Sequence, residues 1–182
     1  LTAVLDKKLG LRTNRRLSHV YRMTDPNSSR AFLITDSGVN VAPDVATKVD
    51  IVRNAVDMAH ALGNMKPRVA ILSAIEKPTP KMPSSIAARE VRDLILASDL
   101  VCYIDGPLAL DNAVSNTAAM VKHLDSAVAG QADILVVHNI ETGNALSKMM
   151  VHMMGAVAAG VVLGSTVPLI VNSRTDPIEA RL

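Results

Sequence analysis

The closing segment of the sequence groups side chains that suit the transfer of a charged group. Asn172-Ser173-Arg174-Thr175-Asp176 follows an apolar run and brings a hydroxyl, a guanidinium and a carboxylate together. An arginine guanidinium can meet two phosphate or carbonyl oxygens in a fixed geometry, which a lysine ammonium does less well. A structural role is the alternative, in which Ser173 caps a helix beginning near Pro177 and Arg174 forms a surface ion pair.

Two further segments have residue types that suit ligand binding. Glu141-Thr142-Gly143-Asn144 stands where an apolar run passes into a helical pattern. The N–H groups and positive end of a helix can bind phosphate there, and Gly143 permits close approach, although a simple turn or cap is the alternative. Asp105-Gly106-Pro107 also follows an apolar run, and its composition predicts a tight loop. Asp105 either stabilises that loop through backbone hydrogen bonds or contacts a ligand.

Short apolar runs alternate with helical patterns and position these segments. Strands are predicted over residues 31–35, 69–73, 100–104, 132–137 and 167–171, and helices over about 84–98, 112–124 and 141–154. Strands that are apolar throughout require a sheet covered on both faces, so we predict an α/β fold with a mostly parallel sheet and helices on both faces. Ligands collect at the C-terminal ends of the strands in such sheets, where the polar segments lie.

The clearest helical pattern follows Pro43, which suits a first helical turn, and stops at Gly63. The predicted apolar face consists of Val45, Val49, Val52, Val56 and Ala59. The predicted polar faces carry Lys48, Asp50, Arg53, Asp57 and His60.

The composition restricts the classes of function. The formal net charge of the 182 residues is +2, and aromatic residues make up 2%, which argues against a nucleic-acid surface built on base stacking. Residues 1–30 hold seven Lys/Arg against two Asp. This basic segment suits a phosphate-bearing ligand or, alternatively, a solvated helix end or subunit contact. No stretch reaches about 18 uninterrupted apolar residues, so we expect a cytoplasmic protein without a membrane partner.

Cysteine, histidine and methionine positions predict packing rather than metal binding. Cys102 lies in an apolar run, where a buried structural thiol is expected. The five histidines lack the spacing of a metal site. Met149, Met150, Met153 and Met154 have helical spacing, and their apolar surplus favours a homodimer.

Four runs carry a resemblance to a known family. They are Thr35-Asp36-Ser37-Gly38-Val39-Asn40-Val41-Ala42-Pro43, Asp105-Gly106-Pro107-Leu108-Ala109-Leu110-Asp111-Asn112-Ala113, Glu141-Thr142-Gly143-Asn144 and Ser173-Arg174-Thr175-Asp176. In order and spacing they resemble the phosphate acetyl/butyryltransferase family over nearly the whole chain. Gly10-Leu11-Arg12-Thr13 is closer to the butyryl branch.

The resemblance implies an isocitrate/isopropylmalate dehydrogenase-like α/β fold with a cleft between two domains. Because family chains are longer, we expect an incomplete fold that lacks an N-terminal part and a C-terminal helix. The family-like region then spans residues 1–182, with about 30–165 as the central α/β domain. Residues 1–29 and 166–182 are expected to belong to the other domain.

The family transfers an acetyl or short-chain acyl group between coenzyme A and inorganic phosphate. The resemblance therefore implies an acyltransferase with acyl-CoA and phosphate as partners, coenzyme A as a substrate and no tightly bound cofactor or metal. It implies that Ser173 orients the thiol and that Arg174 holds the charge of the transition state. Asp176 is preferred as the general base because it sits in the same loop, and a carboxylate stabilised by the dipole at a helix N-terminus is the alternative role. The implied substrate-binding residues are Gly143, Asn144, Lys148, Asp105 and Gly106.

Three positions depart from the family pattern. His138 stands where proline is usual, Ser147 where tyrosine is usual, and Ala180 where the acetyl branch has a carboxylate. The last departure leaves Asp176 and Glu179 as the alternatives for the base. It also favours a second function, a non-catalytic acyl-CoA-binding regulatory module of a larger fused enzyme. A dehydrogenase of the same fold would need a cluster of Asp residues for its metal, which the sequence lacks.

Overall fold

The computed structural model describes residues 10–26, 28 and 30–171, which form seven strands and five helices. The strands are β1 (Ser18–Thr24), β2 (Ala31–Thr35), β3 (Arg68–Leu72), β4 (Tyr103–Leu108), β5 (Ile134–Val136), β6 (Val157–Leu163) and β7 (Leu169–Ile170). The helices are α1 (Val45–Ala61), α2 (Pro83–Leu96), α3 (Leu110–Val114), α4 (Asn116–Val121) and α5 (Ile140–Met154).

All seven strands belong to one sheet with the order β4-β3-β5-β2-β1-β6-β7. The first four in this order pair in parallel. β1 joins β2 and β6 in antiparallel pairs, and β7 is antiparallel to β6. The prediction of an α/β fold is confirmed. The parallel strands make up one half of a mixed sheet.

The sequence analysis did not predict β1 and β6, and their side chains explain why. The polar residues Ser18 and His19 of β1 are buried, and β6 is rich in small residues. Gly160 of β6 lies opposite Tyr21. A Cβ atom on Gly160 would stand 2.7 Å from His19 Nε2 and 2.9 Å from Tyr21 Cε1. The two rings of β1 therefore need a residue without a side chain on β6.

Helices cover both faces of the sheet, as predicted. One core contains Val52 of α1 and Val91 of α2, and the other contains Ala113 of α3 and Met150 of α5. Successive strand residues alternate between these cores. Burial of a valine or leucine side chain contributes about 1.5–3 kcal/mol, so the two aliphatic cores supply most of the packing free energy.

The structure corrects three details of the predicted helices. Helix α1 begins at Val45 after the N-cap Asp44, so Pro43 precedes the helix instead of lying in its first turn. The single helix predicted over 112–124 is two helices, because Ser115 has extended backbone angles and its side chain caps α4. Lys48 was predicted on a polar face, but its side chain is buried at 2% exposure.

The segment Asp105-Gly106-Pro107 is part of β4 and does not form the predicted loop. β4 is an edge strand of the sheet, where a proline without an N–H group is tolerated. Gly106 packs against Ile71 of the neighbouring strand, where an added Cβ would stand 2.7 Å from Ile71 Cβ and 2.9 Å from Ile71 O. Strand β4 ends at Leu108, so the loop at its C-terminal end begins at Ala109.

The division into a central domain at about 30–165 and parts of another domain stays a prediction. Within the described residues, β1 (Ser18–Thr24) lies inside the sheet between β2 and β6. This segment is thus continuous with the sheet of the central region.

We predict that Gly106→Ala destabilises the protein because the new methyl group overlaps the Ile71 backbone, which has little freedom to move. The expected decrease in the free energy of unfolding is about 1–3 kcal/mol, measured by urea denaturation. The control Glu90→Ala changes an exposed side chain of α2 and should shift the free energy by less than about 0.5 kcal/mol. Equal stability of the two variants would contradict the close contact.

Candidate active site

The four parallel strands end at a common edge of the sheet, and a cavity of about 440 Å³ lies there. Its polar lining comes from Ser73 after β3, Ser84 of α2, His138 after β5 and Thr142 of α5. The remaining lining residues are Leu72, Ala74, Met82, Ala109, Leu110 and Leu146. Hydroxyl and imidazole groups on an otherwise apolar wall can bind the polar end of a small ligand while the wall excludes water.

The loop after β2 is organised around the carboxylate of Asp36. The backbone N–H groups of Gly38 and Val39 donate to Asp36 Oδ1 at 2.9 and 3.0 Å, and that of Asn40 donates to Oδ2 at 3.1 Å. The side-chain amide of Asn40 also donates to Oδ2 at 2.6 Å and to the carbonyl of Leu17 at 2.8 Å. These bonds satisfy a carboxylate that is only 2% exposed. Residues 36–40 therefore form a loop that is held by its own hydrogen bonds after β2.

Helix α5 packs directly on this loop at Gly143. An added Cβ on Gly143 would stand 2.6 Å from Asp36 O and 2.8 Å from Ser37 Oγ. One turn later, Ser147 Oγ donates to the Gly143 carbonyl at 2.8 Å and contacts Ser37 Oγ at 3.5 Å. Among the described residues, the group that approaches Gly143 is thus the Asp36-Ser37 backbone. Ser147, which stands where the family usually has tyrosine, is small enough to remain buried at this contact.

Most N–H groups at the start of α5 bind oxygen atoms of the chain itself. Ile140 N donates to the Val41 carbonyl at 3.0 Å, Thr142 N to Asn139 Oδ1 at 3.0 Å, and Gly143 N to the Asn139 carbonyl at 3.2 Å. Asn139 is therefore the N-cap residue. Because these donors are occupied, ligand binding here depends mainly on the side chains that line the cavity.

Lys48 and His138 form a contact at the same edge of the sheet. Lys48 Nζ lies 3.2 Å from His138 Nδ1. Burial lowers the pKa of the Lys48 ammonium, and the Asp44 carboxylate partly opposes this effect. Burial and the nearby Lys48 charge both lower the pKa of His138. Lys48 is four residues before the fully buried Val52, and this spacing was the sequence signal for its burial.

The predicted substrate-binding residues occupy different places. Asn144 is exposed, and it lies about 200° around the helix axis from Thr142. Lys148, one turn further, shares the side of Asn144. Among the described residues, neither lines the cavity of about 440 Å³.

Asp105 and Gly106 lie within β4, away from the loop that begins at Ala109. Asp105 Oδ1 accepts from the Gly106 N–H group at 2.7 Å and lies 3.6 Å from Arg92 Nη1. These contacts place Asp105 beside α2. The predicted catalytic residues Ser173, Arg174 and Asp176 lie outside the described residues.

Cys102, expected to be buried, is partly buried and packs against one of the cores. Burial raises the pKa of the Cys102 thiol to about 11, so it remains a thiol at neutral pH. Within residues 10–26, 28 and 30–171, no three His, Cys, Asp or Glu side chains are grouped as metal ligands would be. No helix in this part of the chain has the length and apolar character needed to span a bilayer.

Comparison with known proteins identifies the family. A family model described as "Phosphate acetyl/butaryl transferase" matches residues 1–180. The chain belongs to the phosphate acetyl/butyryltransferase family. It is 45% identical over 174 residues to a phosphate acetyltransferase of Rhizobium meliloti, and the aligned region covers 95% of this chain and 55% of that protein. It is 38% identical over 183 residues to a phosphate butyryltransferase of Clostridium acetobutylicum, and the aligned region covers 100% of this chain and 61% of that protein.

Solved structures of phosphotransacylases share the fold of this family member. A branched-chain phosphotransacylase from Enterococcus faecalis V583 superposes with a TM-score of 0.91 at 38% identity, over 99% of this chain and 64% of that chain. A phosphotransacetylase from Streptococcus pyogenes gives a TM-score of 0.81 at 28% identity, over 93% of this chain and 52% of that chain. The chain spans about half the length of the curated relatives that it matches first.

We predict that Gly143→Ala separates α5 from the Asp36 loop, because the added methyl group overlaps backbone that is held by several hydrogen bonds. The expected decrease in the free energy of unfolding is about 1–3 kcal/mol, measured by urea denaturation. Hydrogen exchange at the amides of Gly38, Val39 and Asn40 should accelerate in the same variant.

The matched control is Asn144→Ala, which changes the next residue of the helix at an exposed position. Its free energy of unfolding should stay within about 0.5 kcal/mol of the parent value. If Gly143→Ala were as stable as this control and reduced only ligand affinity, Gly143 would act through ligand contact rather than through packing.

Proposed function

We propose that the protein is a phosphate acyltransferase that moves an acetyl or short-chain acyl group between coenzyme A and inorganic phosphate. The observation that carries this proposal is the family match over residues 1–180. The cavity at the C-terminal edge of the parallel strands supports it, because this edge is the common ligand site of α/β sheets.

The reaction requires groups that handle negative charge. A phosphate oxygen attacks the thioester carbonyl, a tetrahedral oxyanion forms, and the carbon–sulfur bond breaks to release the coenzyme A thiolate and acyl phosphate. In reverse, the thiolate attacks the acyl phosphate and phosphate leaves. Donors placed at the developing oxyanion and a cation for the phosphate lower the barrier in both directions. A base that accepts the thiol proton is needed for the reverse reaction, because a free thiol has a pKa near 8.5.

We propose that Arg174 supplies the cation, Ser173 orients the thiol and Asp176 accepts its proton. These assignments follow the family motif Ser173-Arg174-Thr175-Asp176 and the chemistry of the three groups. Arg174 is the central one, since a guanidinium can hold two oxygens of the transition state at once.

The described residues supply cavities with largely apolar walls, which can exclude water from a bound ligand. The cavity of about 440 Å³ shares Leu110 and Leu146 with a neighbouring cavity of about 290 Å³. The second cavity is lined largely by apolar side chains, including Phe32, Ile34 and Met150. We propose that phosphate and the thioester occupy the cavity of about 440 Å³ and that Gly143, Asn144, Lys148, Asp105 and Gly106 contribute to substrate binding directly or through the position of the loops.

We also propose that the protein is a homodimer located in the cytoplasm. The exposed side chains of Met149, Met153 and Met154 on α5 support the dimer, with 42%, 81% and 49% of their surface accessible. Exposed apolar side chains grouped in this way are typical of subunit interfaces.

We predict that Arg174→Ala in the full-length protein decreases kcat/KM by about 10²–10³-fold because it removes the cation from the transition state. The assay measures phosphate-dependent release of coenzyme A from acetyl-, propionyl- and butyryl-CoA. Arg174→Lys is the matched control and should retain part of the activity, since it keeps the charge and loses the two-oxygen contact. Normal turnover by Arg174→Ala would refute the assignment.

The same assay distinguishes the enzyme from the non-catalytic alternative, which is favoured by Ala180 at a position where the acetyl branch has a carboxylate. A parent protein that binds acyl-CoA and gives no phosphate-dependent turnover would be an acyl-CoA-binding regulatory module. Turnover above the uncatalysed rate, lost in Arg174→Ala, would support the enzyme.

We predict that Asp176→Asn lowers kcat in the acyl-CoA-forming direction and removes the ionisation of a base from the pH–rate profile, since an amide cannot accept the thiol proton. The profile is measured between about pH 5 and pH 9. Glu179→Gln is the control for the other nearby carboxylate. An unchanged profile in Asp176→Asn, with a changed one in Glu179→Gln, would move the role of base to Glu179.

A further inference from the structure

Lys48 is a cation that the proposed catalytic motif does not use, and it contacts His138, which lines the cavity of about 440 Å³. Lys48 is 2% exposed, although it carries a charged group on a long side chain. Among the described residues, its ammonium has a hydrogen-bond partner in His138 Nδ1 at 3.2 Å and no ion pair with a carboxylate. Buried lysines are rare because an ammonium loses its favourable hydration free energy when it leaves water. The contact of Lys48 with His138 is therefore explained by a function rather than by a contribution to stability.

The direction of the hydrogen bond determines the state of the histidine ring. When Lys48 is an ammonium, which only donates, Nδ1 of His138 accepts and carries no proton. The neutral ring then carries its proton on Nε2. A second proton on Nδ1 would place two cations in direct contact, which is unfavourable at a partly desolvated position. Lys48 therefore keeps His138 neutral with an Nε2–H donor.

The His138 ring lies where its N–H donor can bind a ligand in the cavity. His138 lines the cavity of about 440 Å³ together with the hydroxyl-bearing Ser73 and Thr142. The N–H groups of Ile140, Thr142 and Gly143 are already bound to oxygens of the chain. An oxygen-rich ligand at this edge would thus meet the His138 ring and the hydroxyl groups first.

We propose that His138 binds an oxygen of the phosphate or acyl-phosphate group through its neutral Nε2–H, and that Lys48 is the positioning residue that fixes this tautomer. This inference rests on the proposed phosphate acyltransferase function. A neutral donor suits a phosphate that must move between reactant and product, because it orients the anion without adding the strong attraction of a second cation.

Carboxylates also lie on the elements that neighbour the pair. On α1, the N-cap carboxylate of Asp44 favours the charged form of Lys48. Asp36 follows β2, next to β5 in the sheet, and its carboxylate is bound by the N–H groups of its own loop. Glu141 lies in the first turn of α5. Lys48 is the one of these charges that lowers the pKa of His138, and it acts together with burial.

The first test is nitrogen-15 NMR of the histidine rings in the full-length protein. We expect His138 to be the Nε2–H tautomer at neutral pH and to titrate below its ordinary pKa of about 6.5. In Lys48→Met the repulsion is lost and the burial remains, so the midpoint should rise part of the way and the Nδ1–H tautomer should become populated. Lys81→Met, at an exposed lysine, is the control and should leave both observations unchanged.

The second test is the addition of inorganic phosphate, followed by NMR and by kinetics. Phosphate should shift the His138 Nε2–H resonance of the parent protein. His138→Ala should raise KM for phosphate about tenfold, the change expected for one lost hydrogen bond to a charged group, with a smaller effect on kcat. His138→Gln retains an N–H donor and should recover part of the loss. His152→Gln, at an exposed position near the end of α5, is the control.

The outcomes separate this inference from the proposed function. An active parent protein whose KM for phosphate is unchanged in His138→Ala, and whose His138 signals do not respond to phosphate, would refute the inference and leave the proposed function intact. A parent protein without turnover would refute the proposed function. In that case a phosphate-induced shift of the Nε2–H signal still supports the donor role, and its absence overturns it. The NMR titration of the parent protein needs no variant, so misfolding of a variant cannot decide the result.

Discussion

The contact between helix α5 and the loop after β2 leaves no space for a side chain, and the cavity edge depends on it. Gly143 lies where a Cβ would stand 2.6 Å from Asp36 O. The loop is itself held by N–H groups directed at the Asp36 carboxylate. Because hydrogen bonds hold the loop and Gly143 packs directly on it, the first turn of α5 has a defined position relative to β5. This position brings His138 to the cavity and orders the start of the helix.

A second constraint is electrostatic. Burying the Lys48 ammonium is unfavourable for folding, and the hydrogen bond to His138 compensates for only part of the lost hydration. The structure retains this contact beside a cavity that is otherwise lined by hydroxyl and apolar groups. An unfavourable buried charge at a ligand site is common where a group must be held in one protonation state. The Lys48–His138 contact thus lies at the edge where the parallel strands end.

The two halves of the mixed sheet have different structural roles. The four parallel strands end together and supply the loops of the cavity. The antiparallel strands β1 and β6 extend the sheet on the other side of β2, and Asn40 ties the Asp36 loop to the carbonyl of Leu17 just before β1. The antiparallel half therefore supports the loop on which α5 rests.

The sequence by itself determined the alternation of parallel strands and helices, the aliphatic core and the family, because apolar periodicity and motif order are local properties of the chain. Helix α1 could be predicted closely, and the spacing of Lys48 to Val52 was a signal for its burial, yet the contact of Lys48 with His138 could not be predicted because 90 residues separate the two. Likewise, Asp105 and Gly106 lie inside β4 because Ile71 of another strand accommodates a glycine there. Only the tertiary structure decided these placements, as each depends on a contact between segments that are distant in sequence.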